Sequence, residues 1–455
     1  MMRPLSLSEL RLPLEGQLHG ADCDILGVST DSRTLHDGDL FVALRGEHFD
    51  GQEYVAQANS VGATAALVRQ GVASSLPQLQ VADTQRALGL LGAYNRQQYK
   101  GPLIGITGSS GKTTVKNMVH SVLSRRGETL ATEGNFNNEI GVPLTLLRLR
   151  PGVEFAVVEM GAAKAGDIAW LCELACPTIA LLLNAMPAHL EGFASVEGVA
   201  AAKGEIFDRL LKTDVAVINA DQSWARQWRK RASAATIIDF GLEQPASIGA
   251  RNIQGMGVRG VSFTASTPVG DMSIRLNLPG VHNVANALAA VAVGLACELS
   301  LTDVRDGLES LQPSDGRLRS MVSPLGASII DDCYNANPGS VRAAIDMLAA
   351  CSGRRTLLLG AMRELGRGSS ELHREVGEYA RAAGIDQLWG VGPELEICVD
   401  AFGAGGRYFE DRAAALVDIE RQFGEGDTVL IKGSRSAGME QVLHALLPNI
   451  KAQEH

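Results

Sequence analysis

The chain has 455 residues, 45% of them hydrophobic and 20% charged, with a formal net charge of −10. That length exceeds what one hydrophobic core covers and predicts roughly two to four domains, while the composition is that of a folded globular protein and excludes disorder. The acidic balance excludes a general nucleic-acid binder, so an anionic substrate has to be met by local lysines, arginines and helix N-termini.

The N-terminal "MMRPLSLSELRLPLEG" carries charges and no apolar core, so it does not read as a signal peptide. The greasiest stretch, "ANALAAVAVGLAC" from Ala285, is too short to span a bilayer and reads as a packed alanine-rich helix. A soluble cytoplasmic protein without membrane insertion is expected. Seven cysteines, an odd number, do not describe a disulfide framework. Cys172 and Cys176 have loosely metal-like spacing but no second Cys/His pair, and they read as buried thiols of a reducing compartment.

Residues 1–98 contain short strand-like runs, "GDLFVALRG" and "TAALV", and end in the polar "YNRQQYKGP". From residue 99 apolar strands alternate with helices. "LIGIT" precedes a helix from Lys112, "FAVVEM" one near Asp167, "TIALLLN" one near Val196 and "DVAVINA" one near Trp224. This alternation predicts a parallel sheet covered on both faces. Over residues 248–278 the pattern becomes polar–apolar, predicting antiparallel strands that extend the same sheet. After "LQPSDGRLRS" the runs "ASIIDD", "RTLLLGAM", "DQLWGVG" and "DTVLIKGS" predict a second doubly wound unit. The expected architecture is α/β in three domains: a smaller α/β domain over 1–98, a central phosphate-loop domain over 99–312 and a Rossmann-like domain over 313–455.

"ITGSSGKTT", residues 106–114, lies between the first central strand and its helix. Isoleucine stands where the usual G-x-x-x-x-G-K-[ST] loop has its first glycine. Gly108 and Gly111 still let the backbone turn amides toward an anion, at the positive end of a helix. Lys112 supplies a charge for outer phosphates and Thr113 a hydroxyl for magnesium. Glu159 ends the next strand, at the sheet edge where α/β folds present ligand-binding groups, and is a second magnesium candidate or a helix-start acid. His189, after the third strand, reaches the same edge; alone it reads as a hydrogen-bonded loop residue. Lys203 falls on the apolar stripe Val199–Lys203–Ile206–Leu210, so it either snorkels to solvent or serves a site with a lowered pKa. Asn283 and Asn286 open the helix after "LPGVHNV", to meet an adenine edge or, for Asn283, to cap the helix.

"GITGSSGKTT", "VVEMGA", "AHLEGF", "AAKGEIF", "GVHNVANALAA", "DGR" and "DDCYNANPGSV", in this order and across essentially the whole chain, closely resemble the Mur ligase family. Its short G-[ST]-x-G-K-[ST] loop accounts for the missing glycine. The N-terminal "STDSRTLHDGDLFVALRGEHFDG" is similar to a UDP-binding domain of that family, and "DDCYNANP" with "LLGAMRELG" points to the branch that adds D-alanyl-D-alanine. The Asp-Asn-Pro-Arg motif of the branch adding diaminopimelate or lysine does not occur. Cys333, where a small polar residue is more typical, is the one departure.

The resemblance implies roles by position. Gly108, Ser109, Ser110, Gly111, Lys112, Thr113 and Thr114 would meet ATP phosphates. Asn283 and Asn286 would meet adenine, with Arg317 and Asp332 approaching the nucleotide from the linker and third domain. Thr113, Glu159 and His189 would hold Mg2+, and Lys203 matches a lysine carbamylated in relatives, whose carbamate would help hold a second magnesium. Ser32 would face the uridine, and Asn137 and Asn138 the sugar-peptide. Tyr334, Asn335, Asn337, Lys432 and Arg435 would form the dipeptide pocket. The implied substrates are ATP, a UDP-MurNAc-tripeptide and D-Ala-D-Ala, used by a monomer that closes around them from an open form. Lys112, Lys203, His189 and Glu159 would carry the acyl-phosphate chemistry. The alternatives are a ligase adding the third residue, a folylpolyglutamate synthetase-like ligase, and a nucleotide-binding scaffold without catalysis.

Overall fold

A computed structural model describes residues 4–187, 190–233, 235–419 and 422–447. Three large sheets follow one another along the chain. The first runs, in spatial order, Gln17–His19, Gln78–Gln80, Ala65–Val68, Asp39–Val42 and Gly27–Ser29. Two of its three inner strands, Ala65–Val68 and Asp39–Val42, are buried throughout, which fits their largely apolar sequence.

The helix Thr84–Gln98 joins this sheet to the next and is capped by the Asp83 carboxylate, which accepts from the amides of Gln85 and Arg86. Its inner face is pinned to the central sheet's helices. A side chain at Gly92 would strike the backbone of Pro143, and Asn95 donates to the carbonyls of Leu146 and Leu149. The buried Arg96 donates to the carbonyls of Ala175, Tyr99 and Cys176, so one guanidinium closes the end of the helix Asp167–Ala175.

The central sheet is all parallel, in the order Thr236–Phe240, Val215–Asn219, Ile179–Leu182, Leu103–Thr107, Phe155–Glu159 and Thr129–Ala131. Its register pairs Glu159 with Ile106 and Leu182 with Thr107, which brings three strand tips to one edge. The antiparallel strands Gly249–Gly255, Val261–Thr267 and Gly270–Leu276 do not extend this sheet; they form their own. Alternation marks a strand with one buried face but does not say which layer buries it. Here Val261, Phe263, Ala265, Ile274 and Leu276 pack into the same core as the helix Val281–Ala296. That helix, sandwiched between the two sheets, is buried nearly all round, which explains its alanine-rich sequence.

The third sheet runs Arg319–Val322, Ser328–Asp332, Asp427–Lys432, Arg354–Gly360, Gln387–Val391 and Gly406–Phe409, parallel except for its first strand. Cys172 is buried as expected, whereas Cys176 is exposed: it ends the helix in a left-handed conformation with its thiol outward. Among the described residues no helix is long and apolar enough to cross a membrane.

Replacing Arg96 with alanine removes the donor from three carbonyls, those of Ala175 and Tyr99 in buried bonds. A loss of about 2–4 kcal/mol in stability is expected, read as a lower denaturant midpoint.

Candidate active site

The strand Leu103–Thr107 delivers the chain into a turn that ends at Gly111, whose φ of 81° and lack of a side chain are both required. A Cβ there would lie 2.8 Å from Asn286 Oδ1. The turn is held from the side by Asn184, at the tip of the neighbouring strand. The Asn184 carbonyl accepts from the Ser109 amide (3.1 Å), while its side chain accepts from the Ser110 amide (2.9 Å) and donates to the Ser110 carbonyl (3.1 Å). Two of the seven residues expected to face phosphates therefore have their amides turned to Asn184. The amides of Gly111, Lys112, Thr113 and Thr114 have no partner among the described residues, and they open the helix Lys112–Leu123.

Thr113 donates its hydroxyl to Glu159 Oε2 at 2.8 Å. Asn137 donates to the other oxygen of the same carboxylate, also at 2.8 Å, and the Glu159 amide donates to Thr132 Oγ1. Glu159 is thus a fixed, buried acid at the strand tip, and the helix-start alternative does not apply. Behind it the buried Lys116 donates to the Thr132 carbonyl at 2.7 Å, tying the phosphate-loop helix to the loop that carries Asn137. The Lys112 ammonium donates to the Gly108 carbonyl; burial lowers its pKa, against the pull of Glu159 and with the push of Arg317.

Lys203 is 1% exposed, so it does not snorkel. Its ammonium lies 5.9 Å from the Phe193 ring centre. Burial, and then the charge of Lys112, lower its pKa well below that of an ordinary lysine. His189 lies outside the described residues, among which no cluster of three or more His, Cys, Asp or Glu forms.

A cleft of about 2230 Å³ runs from these groups to the third sheet. Arg317 crosses it: its guanidinium donates to Thr113 Oγ1 at 2.9 Å and stacks 3.9 Å over the Tyr334 ring. The segment leading into the third sheet therefore touches the phosphate loop. Asp332 and Lys432 form a buried pair at 2.5 Å, and Lys432 also donates to the Asn335 carbonyl. Burial raises the Asp332 pKa, opposed by Lys432.

The asparagines divide by what they already bind. Asn283 is not a cap: Gly280 holds that position, and Asn283 donates to the Pro279 carbonyl while accepting from Asn286. Asn137 is bound to Glu159, Asn138 accepts from the Gly141 amide, and Asn337 caps the helix Pro338–Ala349 through the Ser340 amide. Asn335 accepts from the Ala336 amide, and Arg435 is exposed on the cleft wall. Ser32 does not line this cleft; it donates to Gln57 Oε1 within the first unit.

The sequence reading missed Asn184, Lys116, Thr132 and His282. Asn184 obeys the same strand-tip rule as Glu159 and could have been found by it. His282, on the cleft beside Asn283, has its pKa lowered to about 4 by burial and then by the charge of Lys432.

A short phosphate loop, an acid at the adjacent strand tip and an arginine reaching in from a second doubly wound unit define a nucleotide-dependent ligase site. The chain belongs to the Mur ligase family. Family models match residues 24–92 (Mur ligase family, catalytic domain), 106–294 (Mur ligase middle domain) and 316–435 (Mur ligase, glutamate ligase domain). It is similar to the UDP-N-acetylmuramoyl-tripeptide–D-alanyl-D-alanine ligase of Escherichia coli K12, 44% identical over 98% of this chain and 99% of that one. The ligase of the same name from Haemophilus influenzae is 41% identical over 99% of this chain and 100% of its own. Among solved structures, MurF from Acinetobacter baumannii superposes with a TM-score of 0.93 at 35% identity, covering 98% of this chain and 100% of that one. The MurF ligase of Thermotoga maritima in complex with ADP gives 0.83 at 27% identity, covering 94% and 98%.

His282 has a pH signature. Its folded pKa of about 4 lies below the ordinary 6.5, so the unfolded chain takes up the proton first as pH falls. The stability it contributes is complete above pH 6.5 and is lost as pH drops toward 4, by about 3 kcal/mol. Denaturation of His282→Gln against pH should be flatter than wild type across that window.

Proposed function

We propose that the protein joins D-alanyl-D-alanine to the terminal carboxylate of a UDP-N-acetylmuramoyl-tripeptide, converting ATP to ADP and phosphate. The observation that carries this reading is full-length likeness to ligases of that name, joined to the hydrogen-bonded chain Arg317–Thr113–Glu159 at a phosphate loop. In this reading residues 1–98 hold the UDP end of the acceptor, 99–312 the ATP, and 313–455 the dipeptide.

A carboxylate is a poor electrophile until one of its oxygens becomes a good leaving group. A carboxylate oxygen of the tripeptide attacks the γ-phosphorus of ATP, the bond to ADP breaks, and an acyl phosphate forms. The dipeptide amine then attacks the acyl carbon. The new C–N bond forms, the C–O bond to phosphate breaks, and the amine gives up a proton. The chain's share is positioning and charge. Lys112 and the helix-start amides meet the outer phosphates, and Arg317 offsets the charge that builds during transfer. Enclosing the cleft keeps water from the acyl phosphate.

Thr113 and Glu159 supply hard oxygen donors 2.8 Å apart, the kind Mg2+ takes together with substrate phosphates. A magnesium ion held there supplies charge neutralisation for the transferring phosphoryl group. The neutral amine favoured at Lys203 is the form that adds carbon dioxide: the N–C bond forms, a proton leaves, and a carbamate anion results. A buried anion there suits a cation-lined cleft better than an unpaired ammonium does.

ADP and phosphate should appear only when both the tripeptide acceptor and D-Ala-D-Ala are present; release with either alone contradicts the reading. Lys112→Ala should lose about 3 kcal/mol or more of transition-state stabilisation, a rate loss of at least ~10²-fold. Lys203→Ala should regain part of its activity with added short carboxylates, and a variant that no carboxylate rescues argues against the carbamate.

A further inference from the structure

We infer that Tyr334 is a positioning residue for the nucleotide half of the reaction, its ring holding the Arg317 guanidinium against the phosphate loop, rather than a wall of the dipeptide pocket. The inference rests on the reading in which Arg317 faces ATP.

Arg317 sits 3.9 Å over the Tyr334 ring while donating to Thr113 Oγ1. Among the described residues Thr113 is its only side-chain hydrogen-bond partner, and no carboxylate pairs with it. A carboxylate would fix an arginine by consuming its in-plane donors and cancelling its charge. An aromatic face fixes it from above and leaves donors and charge free for phosphate oxygens. Without that face a long side chain has many rotamers to lose on engaging a ligand.

The backbone under the pair is built to the same end. Gly316, with φ of 71°, donates its amide to Asp331 Oδ2 at 2.8 Å and accepts the Tyr334 amide on its carbonyl at 3.1 Å. A Cβ on Gly316 would lie 3.1 Å from the Tyr334 Cβ. Arginine and ring are therefore presented by two segments bonded directly to each other.

The test measures binding of a Mg2+-loaded non-hydrolysable ATP analogue by calorimetry, and steady-state KM values for ATP and D-Ala-D-Ala. Tyr334→Phe keeps the ring face and should match wild type in both within about twofold. Tyr334→Leu should weaken analogue binding about tenfold and raise the KM for ATP, with the KM for D-Ala-D-Ala unchanged. In an Arg317→Ala background Tyr334→Leu should have no further effect, because the ring acts through the arginine. If Tyr334→Leu melts far below wild type, Tyr334→Met replaces it in the same comparison. A raised KM for the dipeptide with unchanged analogue binding overturns the inference, as do effects of the two substitutions that simply multiply. Unchanged analogue binding in Arg317→Ala alone removes the nucleotide role of Arg317 itself, a separate failure.

Discussion

The hydroxyl of Thr113 is the point on which the site turns. It donates to Glu159 and accepts from Arg317, so one side chain joins the phosphate loop, the neighbouring strand and the turn that leads into the third sheet. This junction exists because parallel pairing sets Glu159 opposite Ile106, at the sheet edge where the loop begins. A one-residue slip in that pairing would turn the carboxylate to the opposite face and leave the loop without its acid. From Glu159 the bonds branch, its carboxylate to Asn137 and its amide to Thr132, whose carbonyl accepts from Lys116, one turn along the phosphate-loop helix from Lys112.

Charge is distributed against the chain's average. The protein carries a formal net charge of −10, yet Lys112, Lys203, Arg317 and Lys432 all line the cleft. Crowding these cations out of water has a cost, expressed as lowered pKa values for Lys112 and Lys203. Such a site is most comfortable once anions enter, which suits substrates that bring phosphates and carboxylates. The same crowding favours the neutral form of Lys203 and so ties its chemistry to that of the phosphate loop.

Much of the fold was legible because its inner strands are continuous apolar runs ended by loops, as in "LIGIT" and "FAVVEM". The short edge strands Thr129–Ala131 and Arg319–Val322 were not, since half-exposed segments of three or four residues carry little pattern. The small antiparallel sheet was foreseen as strands but given the wrong neighbour, a matter settled by the helix it covers. In the site, Lys112, Thr113 and Glu159 could be read from spacing along one sheet edge. The asparagines could not, because an amide beside a helix start serves a ligand or the backbone equally well, and Asn337 and Asn138 serve the backbone. Nor could the stacking of Arg317 on Tyr334, which depends on how the linker folds back onto the strand after it.

The central claim is that this junction turns the acceptor's carboxylate into a phosphorylated electrophile. The most direct test is to label both oxygens of the tripeptide's terminal carboxylate with heavy oxygen, run the reaction to completion, and analyse the released phosphate by mass spectrometry. The account predicts one labelled oxygen in each phosphate, carried over when the acyl phosphate breaks. Phosphate free of label, with the amide formed in full, would contradict it.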